Sequence, residues 1–467
     1  MLMQFLDNQV FYWATACSGT ESPHWVFQCL SQMDEFNVTF RHIYAAEWEA
    51  SKRAWILSQT RPTHLFKDIF DITRETAHCF VEGVVINVKT RCHNKTTDMF
   101  LAGFSCKTVS ALSNDAEQRR ASISDYCGTT GLTFWGVVMV LCMTKPSTFI
   151  LENVEGLMRH NLHLLVVEKL ISLGYVVLWR LCDAKHLGFP QHRPRIWFIG
   201  WRADLVPCIS SFQRRMTVVM EDLFVDHPPM DLEQFLFRED HPVLFQDVQD
   251  DTSQSKGARK KNAADSKWVA QVDAKYKKKG ISRATSHWHS GLAEVFPEYE
   301  RLPERCRTSL DLRGVRFPEP EPMVVRLDQS EPGVAWGYSP CVTPTGMYWA
   351  GHQCRVLRGY ECIALQGLWL GEEVMEKYSS TFQQHFAGNA FHVANASVFI
   401  ILGLVGLADA KKERDMASPD AVAQIPSFHP SVHTDSSDSE HGGSEHGGDA
   451  EQEWLGHGGP EHGGDAD

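Results

Sequence analysis

The segment QHRPR (191–195) places two arginines, Arg193 and Arg195, directly before the apolar run Ile196–Gly200. The two residues alternate at the start of a predicted strand, so their side chains should face the same side. Paired guanidiniums can grip a carbonyl oxygen, a phosphate or a carboxylate. A pair of surface salt bridges is the alternative interpretation.

A candidate nucleophile, Cys106, follows the predicted strand Asp98–Ala102. A thiolate is a strong nucleophile when neighbouring groups lower the pKa of the thiol. Lys107 could have this effect, and so could Arg119 and Arg120 if the loop folds over. Because the chain has 13 cysteines, a buried structural thiol is the alternative, but the position after a strand favours a reactive one.

A carboxyl group, Glu152, follows the predicted strand Thr148–Leu151. Held near a base, it can donate a proton to a ring nitrogen or accept one from it. Alternatively, it stabilises the dipole of a helix that follows. A thiol, a carboxyl group and paired guanidiniums, each beside a predicted strand, suit chemistry on a flat, polar heterocycle.

A second set of residues could bind a nucleotide-like ligand. The strand-to-helix turn 15–21 contains one glycine and is weak as a nucleotide loop. Glu47 and Trp48 end the second predicted strand, where an acid can bind ribose hydroxyls and an indole can stack on adenine. Asp68 follows the short run Leu65–Lys67 and could bind the adenine amino group. Each also has a plain interpretation as an ordinary strand-end residue.

Residues 10–201 alternate short apolar runs with stretches of helical period, which predicts an α/β fold with a mostly parallel sheet covered on both faces. Besides the strands named above, the pattern predicts strands at Phe11–Ala16, His42–Ala46, Val176–Cys182 and Ile196–Gly200, and helices near 22–33, 49–58, 131–144 and 160–173. Ligands of such sheets bind beyond the carboxyl ends of the strands. Glu47, Cys106 and Glu152 fall there.

Composition divides the chain into four segments. Residues 1–201 carry the sheet pattern, 202–338 are irregular, and 339–408 return to helical spacing and are predicted to complete the first domain. Residues 409–467 are rich in Asp, Glu, His, Gly and Ser, which predicts a disordered acidic tail. Within the irregular segment, residues 256–283 carry ten Lys or Arg against two Asp. Phosphate contact, a solvated loop and a nuclear-import signal explain this stretch equally well.

The net charge of −13 is unevenly distributed. From Asp409 onward there are 14 acidic and 3 basic residues, so the remaining 408 residues carry only about −2. The acidity of the whole chain therefore says little about what the folded body binds.

The cysteines form no C-x-x-C pair, which indicates reduced thiols inside a cell and argues against a disulfide framework or a zinc ribbon. No metal is expected, because His287-Trp288-His289 lacks a third ligand at a credible spacing and solvated disorder accounts for the tail histidines. The run Val10–Ala16 is too short to span a bilayer. No membrane segment is therefore expected.

The ordered motifs together resemble the DNA (cytosine-5) methyltransferase family from about Phe11 to Leu407. The strongest matches are GFPQHRPRIWFIG (188–200), LENVEGL (151–157), RVLRGYECIALQG (355–367) with GNAF (388–391), and EW (47–48). The resemblance implies a Rossmann-like, S-adenosylmethionine-dependent methyltransferase sheet with a smaller target-recognition domain at 202–338. It further implies methyl transfer to carbon 5 of a cytosine flipped out of double-stranded DNA.

The resemblance also implies residue roles. Cys106 would attack carbon 6 of the base, Glu152 would contact ring nitrogen 3 and the exocyclic amine, and Arg195 would contact the carbonyl oxygen with Arg193 in support. Arg355, Glu361 and Gln366 would brace the second lobe against the recognition domain. The residues implied in S-adenosylmethionine binding are Cys17, Ser18, Gly19, Thr20, Glu47, Trp48, Asp68, Ile69, Asn389 and Ala390.

Two motifs depart from the family pattern. Ser105 stands where a proline usually precedes the nucleophile, which could loosen its placement, and Lys107 replaces the usual glutamine. Cys17 occupies an aromatic position and TES (20–22) replaces a glycine-rich turn, leaving Trp48 to stack on the adenine alone. An active DNA enzyme, intracellular and nuclear if eukaryotic, is favoured. Methylation of tRNA and a catalytically inactive DNA-binding scaffold are the alternatives.

Overall fold

The structure is a computed structural model that describes residues 9–34, 36–94, 96–107, 123–238, 241–244, 263–278, 280, 298–299, 302–316, 323–328 and 334–416. Several sequence predictions lie outside these residues. They are the roles of Arg119 and Arg120, both ends of the basic stretch 256–283, the motif at 287–289 and the tail beyond Met416.

A seven-stranded sheet forms the centre of the fold. A separate hairpin consists of β4 (Thr76–Cys79) and β5 (Val84–Asn87). Numbered along the chain, the strands of the seven-stranded sheet are β1 (Gln9–Ala16), β2 (Val38–Ala46), β3 (His64–Phe66), β6 (Met99–Gly103), β7 (Thr148–Val154), β8 (Tyr175–Asp183) and β9 (Pro194–Arg202). The order across the sheet is β3-β2-β1-β6-β7-β9-β8. The pairs from β3 to β7 are parallel, and β9 is antiparallel to both neighbours. The predicted mostly parallel sheet is confirmed.

The antiparallel direction of β9 decides where the arginines lie. Its first residues stand beside the last residues of β7, and Arg195 pairs with Val154. Glu152 lies within β7, opposite Trp197, so the strand continues two residues past the carboxyl group that was expected to follow its end. The carboxyl group and the guanidinium thus meet at the sheet edge where β6 and β7 end.

Helices cover both faces of the sheet, as the sequence predicts. They are α1 (Ser22–Ser31), α2 (Ala50–Gln59), the short α3 (Val88–Arg91), α4 (Gly128–Thr144), α5 (Leu162–Ser172) and α6 (Ile209–Leu223). Phe134 and Val166, from α4 and α5, pack in one apolar core of the sheet. Phe27 and Phe212, from α1 and α6, pack in a second core. Since α6 packs with β9, the sheet lobe extends beyond the predicted boundary at residue 201.

The second lobe contains a four-stranded antiparallel sheet. Its strands are β10 (Met323–Arg326), β11 (Val334–Trp336), β12 (Tyr348–Ala350) and β13 (Arg355–Val356), in the order β11-β10-β12-β13. The predicted domain boundary at residues 338–339 falls between β11 and β12. Because β10 pairs with both strands, this boundary would divide the sheet. Helices α7 (Ala263–Lys277) and α8 (Glu304–Arg316) precede this sheet in the chain. The division into domains stays a prediction.

The remaining helices follow the second sheet. They are α9 (Gly359–Ala364), α10 (Glu372–Lys377), α11 (Ser380–Asn389) and α12 (Val393–Met416). The stretch 380–416 is long and apolar enough to cross a membrane by length and composition alone, but 61% of its most apolar window is buried within the protein. Its residues Phe399 and Leu402 pack in the second core of the sheet. The first residues predicted for the tail belong to this helix, where Asp409 accepts hydrogen bonds from Arg215.

Arg355 and Glu361 form a buried ion pair that also binds the main chain of Phe237. Arg355 Nη2 lies 2.6 Å from Glu361 Oε1 and donates to the carbonyl of Phe237 at 3.2 Å. The same carboxylate oxygen accepts the Phe237 N–H at 2.7 Å. Gln366 is fully buried, and its carbonyl accepts the N–H of Val393. Arg355 and Glu361 thus contact residue 237 in the predicted recognition domain, and their bracing role stays a prediction.

Candidate active site

Two hydrogen bonds anchor the main chain just before Cys106. The Ser105 N–H donates to Thr133 Oγ1 of α4 at 2.9 Å, and Asn153 Nδ2 donates to the Phe104 carbonyl at 2.9 Å. A proline at position 105 has no N–H to offer. Ser105 thus makes a main-chain hydrogen bond that a proline could not make, and the loosening expected at this position stays a prediction.

Cys106, Glu152 and Arg195 share one half-buried site. Arg195 Nε lies 2.9 Å from Glu152 Oε1, and both side chains are 12% exposed. Burial raises the pKa of the Cys106 thiol; the Arg195 charge opposes this rise and the Glu152 carboxylate adds to it. Burial also raises the pKa of Glu152, against the opposing effect of Arg195 and Arg193. The site therefore favours a thiol and a carboxyl group that hold their protons more tightly than in water.

The two arginines converge, as predicted, but differ in what they contact. Arg193 is buried, and its guanidinium donates to the carbonyls of Val342 at 2.9 Å and Ala390 at 2.7 Å. The Nε atom of Arg195 faces the Glu152 carboxyl group. Both guanidiniums reach Cys341 Sγ, at 3.7 Å and 3.6 Å. Arg193 therefore ties three chain segments together, while Arg195 borders the reacting groups.

Cys341 adds a thiol that the sequence analysis did not single out. Burial alone would raise the pKa of Cys341, but the charges of Arg195 and Arg193 outweigh it and lower that pKa. For Arg195, the lowering effect of burial is likewise outweighed by Cys341 and Glu152, so its pKa is raised. The guanidinium of Arg195 stays protonated beside two potential anions, which suits binding of a polarised carbonyl oxygen.

The first loop and the last turn of the sheet lobe meet at Gly19. Gly19 has a φ of +68°, and a Cβ added there would lie 2.5 Å from the Asn389 carbonyl oxygen. Cys17, with a φ of 53°, begins this loop. Burial raises the pKa of the Cys17 thiol, and the carboxylates of Glu47 and Asp68 raise it further. Residues predicted from four separate motifs are thus brought together here.

Glu47, Trp48 and Asp68 border the same loop. Glu47 is buried, and burial raises the pKa of its carboxyl group although Lys52 opposes the rise. Trp48 is 64% exposed, with Lys67 Nζ 4.5 Å from the ring centroid. Asp68 caps a 3₁₀ turn by accepting the Phe70 N–H at 3.0 Å. An exposed indole between two strand-end carboxyl groups is a suitable surface for an adenosine.

The other predicted cofactor residues support this loop mainly through contacts within the protein. Ser18 Oγ donates to Glu21 Oε1, and Thr20 Oγ1 lies 3.0 Å from Ser22 Oγ. Ile69 is buried against α4, where a Cβ at Gly136 would lie 2.4 Å from its Cγ2. The Ala390 carbonyl accepts from Arg193. The side chains of Ser18, Thr20 and Ile69 all lie inside the protein.

Asp183 is a further residue that sequence reasoning missed. Its carboxylate accepts the Arg193 N–H at 2.7 Å and binds His192 Nδ1 at 2.5 Å. Burial acts to raise the pKa of Asp183, but the hydrogen bonds of His192 and Arg193 outweigh it and lower that pKa. The last residue of β8 therefore fixes the main chain that enters β9. Its position as a strand-end acid, like that of Glu47, was the available signal.

Comparison with known proteins places the chain in a family. A family model described as C-5 cytosine-specific DNA methylase matches residues 32–398. The chain is similar to DNA (cytosine-5-)-methyltransferase DMT5 of Cryptococcus neoformans, with 23% identity over 424 residues that cover 83% of this chain and 17% of that protein. It is also similar to type II methyltransferase M.NgoBV of Neisseria gonorrhoeae, with 37% identity over 113 residues that cover 22% of this chain and 25% of that protein.

The chain thus spans a quarter or less of the length of either relative.

Among solved structures, the crystal structure of S. pombe Dnmt2 methyltransferase aligns with 84% of this chain and 98% of that chain, at 12% identity and a TM-score of 0.45. The match to the family model extends over more than half of the chain. The chain belongs to the C-5 cytosine-specific DNA methylase family.

Proposed function

We propose that this chain is a DNA cytosine-5 methyltransferase that methylates carbon 5 of a cytosine flipped out of double-stranded DNA. The observation that carries the proposal is the convergence of Cys106, Glu152 and Arg195 at one sheet edge. A thiol can attack a ring carbon, and a carboxyl group with a guanidinium can bind the polar edge of the same ring. The target atom lies inside a duplex, so the base must leave the stack.

The reaction begins at Cys106. After its proton passes to solvent, the thiolate forms a bond to carbon 6, and the electron pair of the carbon 5–carbon 6 double bond becomes available at carbon 5. Carbon 5 uses this electron pair to bond the methyl group of the sulfonium donor, whose methyl–sulfur bond breaks to leave a neutral thioether. The carbon 5 proton then passes to solvent, its electron pair reforms the double bond, and the carbon–sulfur bond breaks to release the thiolate. Thus Cys106 is regenerated without an oxidant or reductant.

Glu152 and Arg195 hold the ring during these steps. The Glu152 carboxyl group, whose pKa is raised by burial, can share a proton with ring nitrogen 3, which withdraws electrons from carbon 6, and it takes that proton back when the carbon–sulfur bond breaks. Arg195, protonated and adjacent to Glu152, donates to the carbonyl oxygen of the base. Arg193 acts as a positioning residue, because its guanidinium already binds the carbonyls of Val342 and Ala390.

S-adenosylmethionine supplies the electrophilic methyl group when bound. The residues fit it in three respects. Glu47 and Asp68 offer carboxyl oxygens for ribose hydroxyls and the adenine amine, the exposed ring of Trp48 offers a stacking surface, and Gly19 keeps its loop free of a side chain beside Asn389. We assign these residues to cofactor binding. DNA as the macromolecular partner, base flipping and a nuclear location in a eukaryotic cell belong to the same proposal.

Covalent trapping tests the proposal. Fluorine cannot leave carbon 5 as a proton does, so duplex DNA containing 5-fluorocytosine should hold the protein in an adduct that survives denaturation. We expect this adduct with S-adenosylmethionine present, its loss in Cys106→Ser, and its retention in Cys29→Ser, whose exposed thiol lies on α1. Duplex binding without any adduct would overturn the proposal and favour a scaffold.

A comparison of two substrates distinguishes methyl transfer to RNA from methyl transfer to DNA. Duplex DNA and total tRNA are each incubated with the full chain and labelled S-adenosylmethionine. We expect label in the DNA that is lost with Cys106→Ser. Label in tRNA alone would replace DNA by RNA as the substrate and leave the chemistry of Cys106 unchanged.

A further inference from the structure

Three potential metal ligands meet on the edge strand β3 and the hairpin that follows it. His64 begins β3, Cys79 ends β4, and Glu82 lies in the turn before β5. One ligand atom of each lies within 4.8 Å of the ligand atoms of the other two. His64 and Cys79 are buried, whereas the Glu82 side chain is 29% exposed. The group is therefore mostly shielded from solvent but open on the side of Glu82.

We propose that His64, Cys79 and Glu82 bind a divalent metal ion of the zinc class, with water as the fourth ligand. Zinc bonds of about 2.3 Å to sulfur and about 2.0–2.2 Å to nitrogen and oxygen separate tetrahedral ligand atoms by about 3.4–3.6 Å. His64 Nδ1 lies 3.1 Å from Glu82 Oε1 and 3.8 Å from Cys79 Sγ. Small side-chain rotations would bring these atoms to coordinating positions.

The three side chains are poorly matched to one another without a cation. His64 Nδ1 faces both the sulfur and the carboxylate, but this nitrogen carries at most one proton to donate. A metal ion can bind all three at once. Arg91 Nη2 holds the other oxygen of Glu82 at 3.1 Å, which orients the carboxylate as an outer-shell partner does in metal sites.

The turn itself has the spacing of a chelating loop. Cys79 and Glu82 are three residues apart, which matches the shortest spacing between paired zinc ligands, with a carboxylate in place of the second thiolate. Gly83 follows with a φ of +72°, and its N–H donates to the Cys79 carbonyl at 2.8 Å. The sequence-based expectation of no metal considered C-x-x-C pairs, the motif at 287–289 and the tail histidines; His64 is 15 residues from Cys79, too far along the chain to suggest a ligand set.

The site would fix the hairpin beneath the proposed cofactor loop. The Phe80 N–H donates to the Leu65 carbonyl at 2.8 Å, and the Arg53 guanidinium lies 4.5 Å from the Phe80 ring. Arg53 also donates to the carbonyls of Glu47 and Trp48. A metal ion at Cys79 would therefore stiffen the support of the Glu47–Trp48 turn without touching a reacting group.

Cobalt absorption tests the site in the full chain. Reduced protein without an affinity tag is stripped of metal and titrated with Co²⁺. Sulfur-to-cobalt charge transfer absorbs in the near ultraviolet, whereas histidines such as those of the tail give no such band. We expect a band that saturates at about one Co²⁺ per chain and is bleached by Zn²⁺. Absence of the band in the wild-type chain would refute the site.

Two variants assign the ligands. Cys79→Ser should abolish the band, while Cys208→Ser, which removes an exposed thiol at the start of α6, should leave it unchanged. A band of wild-type intensity in Cys79→Ser would refute the assignment. If that variant fails to fold, Glu82→Gln decides, because its side chain lies on a partly exposed turn. It should weaken Co²⁺ binding about tenfold or more, and unchanged affinity would refute the carboxylate as a ligand.

Discussion

The thiol of Cys106 lies in a site that suppresses its ionisation. Arg195 opposes the rise in pKa caused by burial, but the net shift from the ordinary value of 9.0 is upward. In the DNA-free protein at neutral pH, only a small fraction of the thiol is therefore ionised. Attack on a base thus depends on a population of thiolate that grows as the pH rises.

The first residue-scale prediction concerns this pH dependence. Below the pKa of the thiol, the thiolate fraction increases about tenfold per pH unit. The rate of adduct formation with 5-fluorocytosine DNA should therefore rise without a plateau from neutral to mildly alkaline pH. Quenched-flow trapping measures this rate, and duplex affinity at each pH serves as the control. A plateau already at neutral pH would contradict the raised pKa.

Glu152 carries the second prediction. Glu152→Gln keeps the shape of the side chain but removes its ionisable proton and its ion pair with Arg195. Turnover of duplex DNA should fall by about 10²–10⁴-fold, as expected for a general acid, with a much smaller loss of duplex affinity. Single-turnover methyl transfer and a binding titration separate the two effects. Equal losses in both would assign Glu152 to DNA binding.

Glu21 carries the third prediction. Burial raises its pKa from 4.5 to about 7, against the hydrogen bonds of Ser18 and Thr15. The unfolded carboxyl group loses its proton near pH 4.5 and the folded one near pH 7. The stability contributed by the protonated form is thus full below the first value and is lost as the pH rises through the second. Glu21→Gln resembles the protonated form and does not titrate.

Between these two pH values, the free energy of unfolding of wild type should therefore fall by about 3 kcal/mol relative to that of Glu21→Gln. The melting temperature of Glu21→Gln minus that of wild type should increase accordingly. Thermal unfolding at matched ionic strength measures the difference. Parallel melting curves across this interval would show that Glu21 is ionised in the folded protein.

At the scale of elements, most of the sheet lobe could be predicted because its strands are continuous apolar runs between helical patterns. The predicted Phe11–Ala16 lies within β1 and Val176–Cys182 within β8. The second sheet could not be predicted in this way. β12 has three residues and pairs with β10 more than 20 residues earlier, so no local period marks either strand.

In the candidate site, too, only the residues beside a local strand pattern could be predicted from the sequence. Cys106, Glu152 and Arg195 were found because each adjoins a strong strand pattern. Cys341 was not, because its arginine partners lie 146 and 148 residues away and nothing in its own neighbourhood marks it. The tether of Ser105 by Thr133 was missed for the same reason, since it depends on where α4 begins.

The Arg355–Glu361 pair carries the prediction at the element scale. Both side chains are buried, and the carboxylate also accepts the Phe237 N–H. Removing one partner leaves a buried charge, so Arg355→Met should lower the free energy of unfolding by about 3–5 kcal/mol. Adding Glu361→Met should cost less than the sum of the two single changes. Urea unfolding of all four proteins measures the coupling, and strict additivity would argue against the pair.

At the scale of the whole molecule, most of the net negative charge lies in residues 409–467. A chain that ends at Met416 loses 11 acidic residues and no lysine or arginine. Because like charges repel polyanions, this truncation should mildly tighten duplex binding, most strongly at low salt. Fluorescence anisotropy over a salt series measures the effect. Superimposable salt curves for both chains would mean that the tail does not influence DNA binding.

The contact between Gly19 and Asn389 has a consequence for biosynthesis. The carbonyl that packs against residue 19 is synthesised some 370 residues after it. A nascent chain halted before position 389 therefore lacks one wall of the loop that contains Gly19. Competence to bind the methyl donor should consequently arise only after position 389 has left the ribosome.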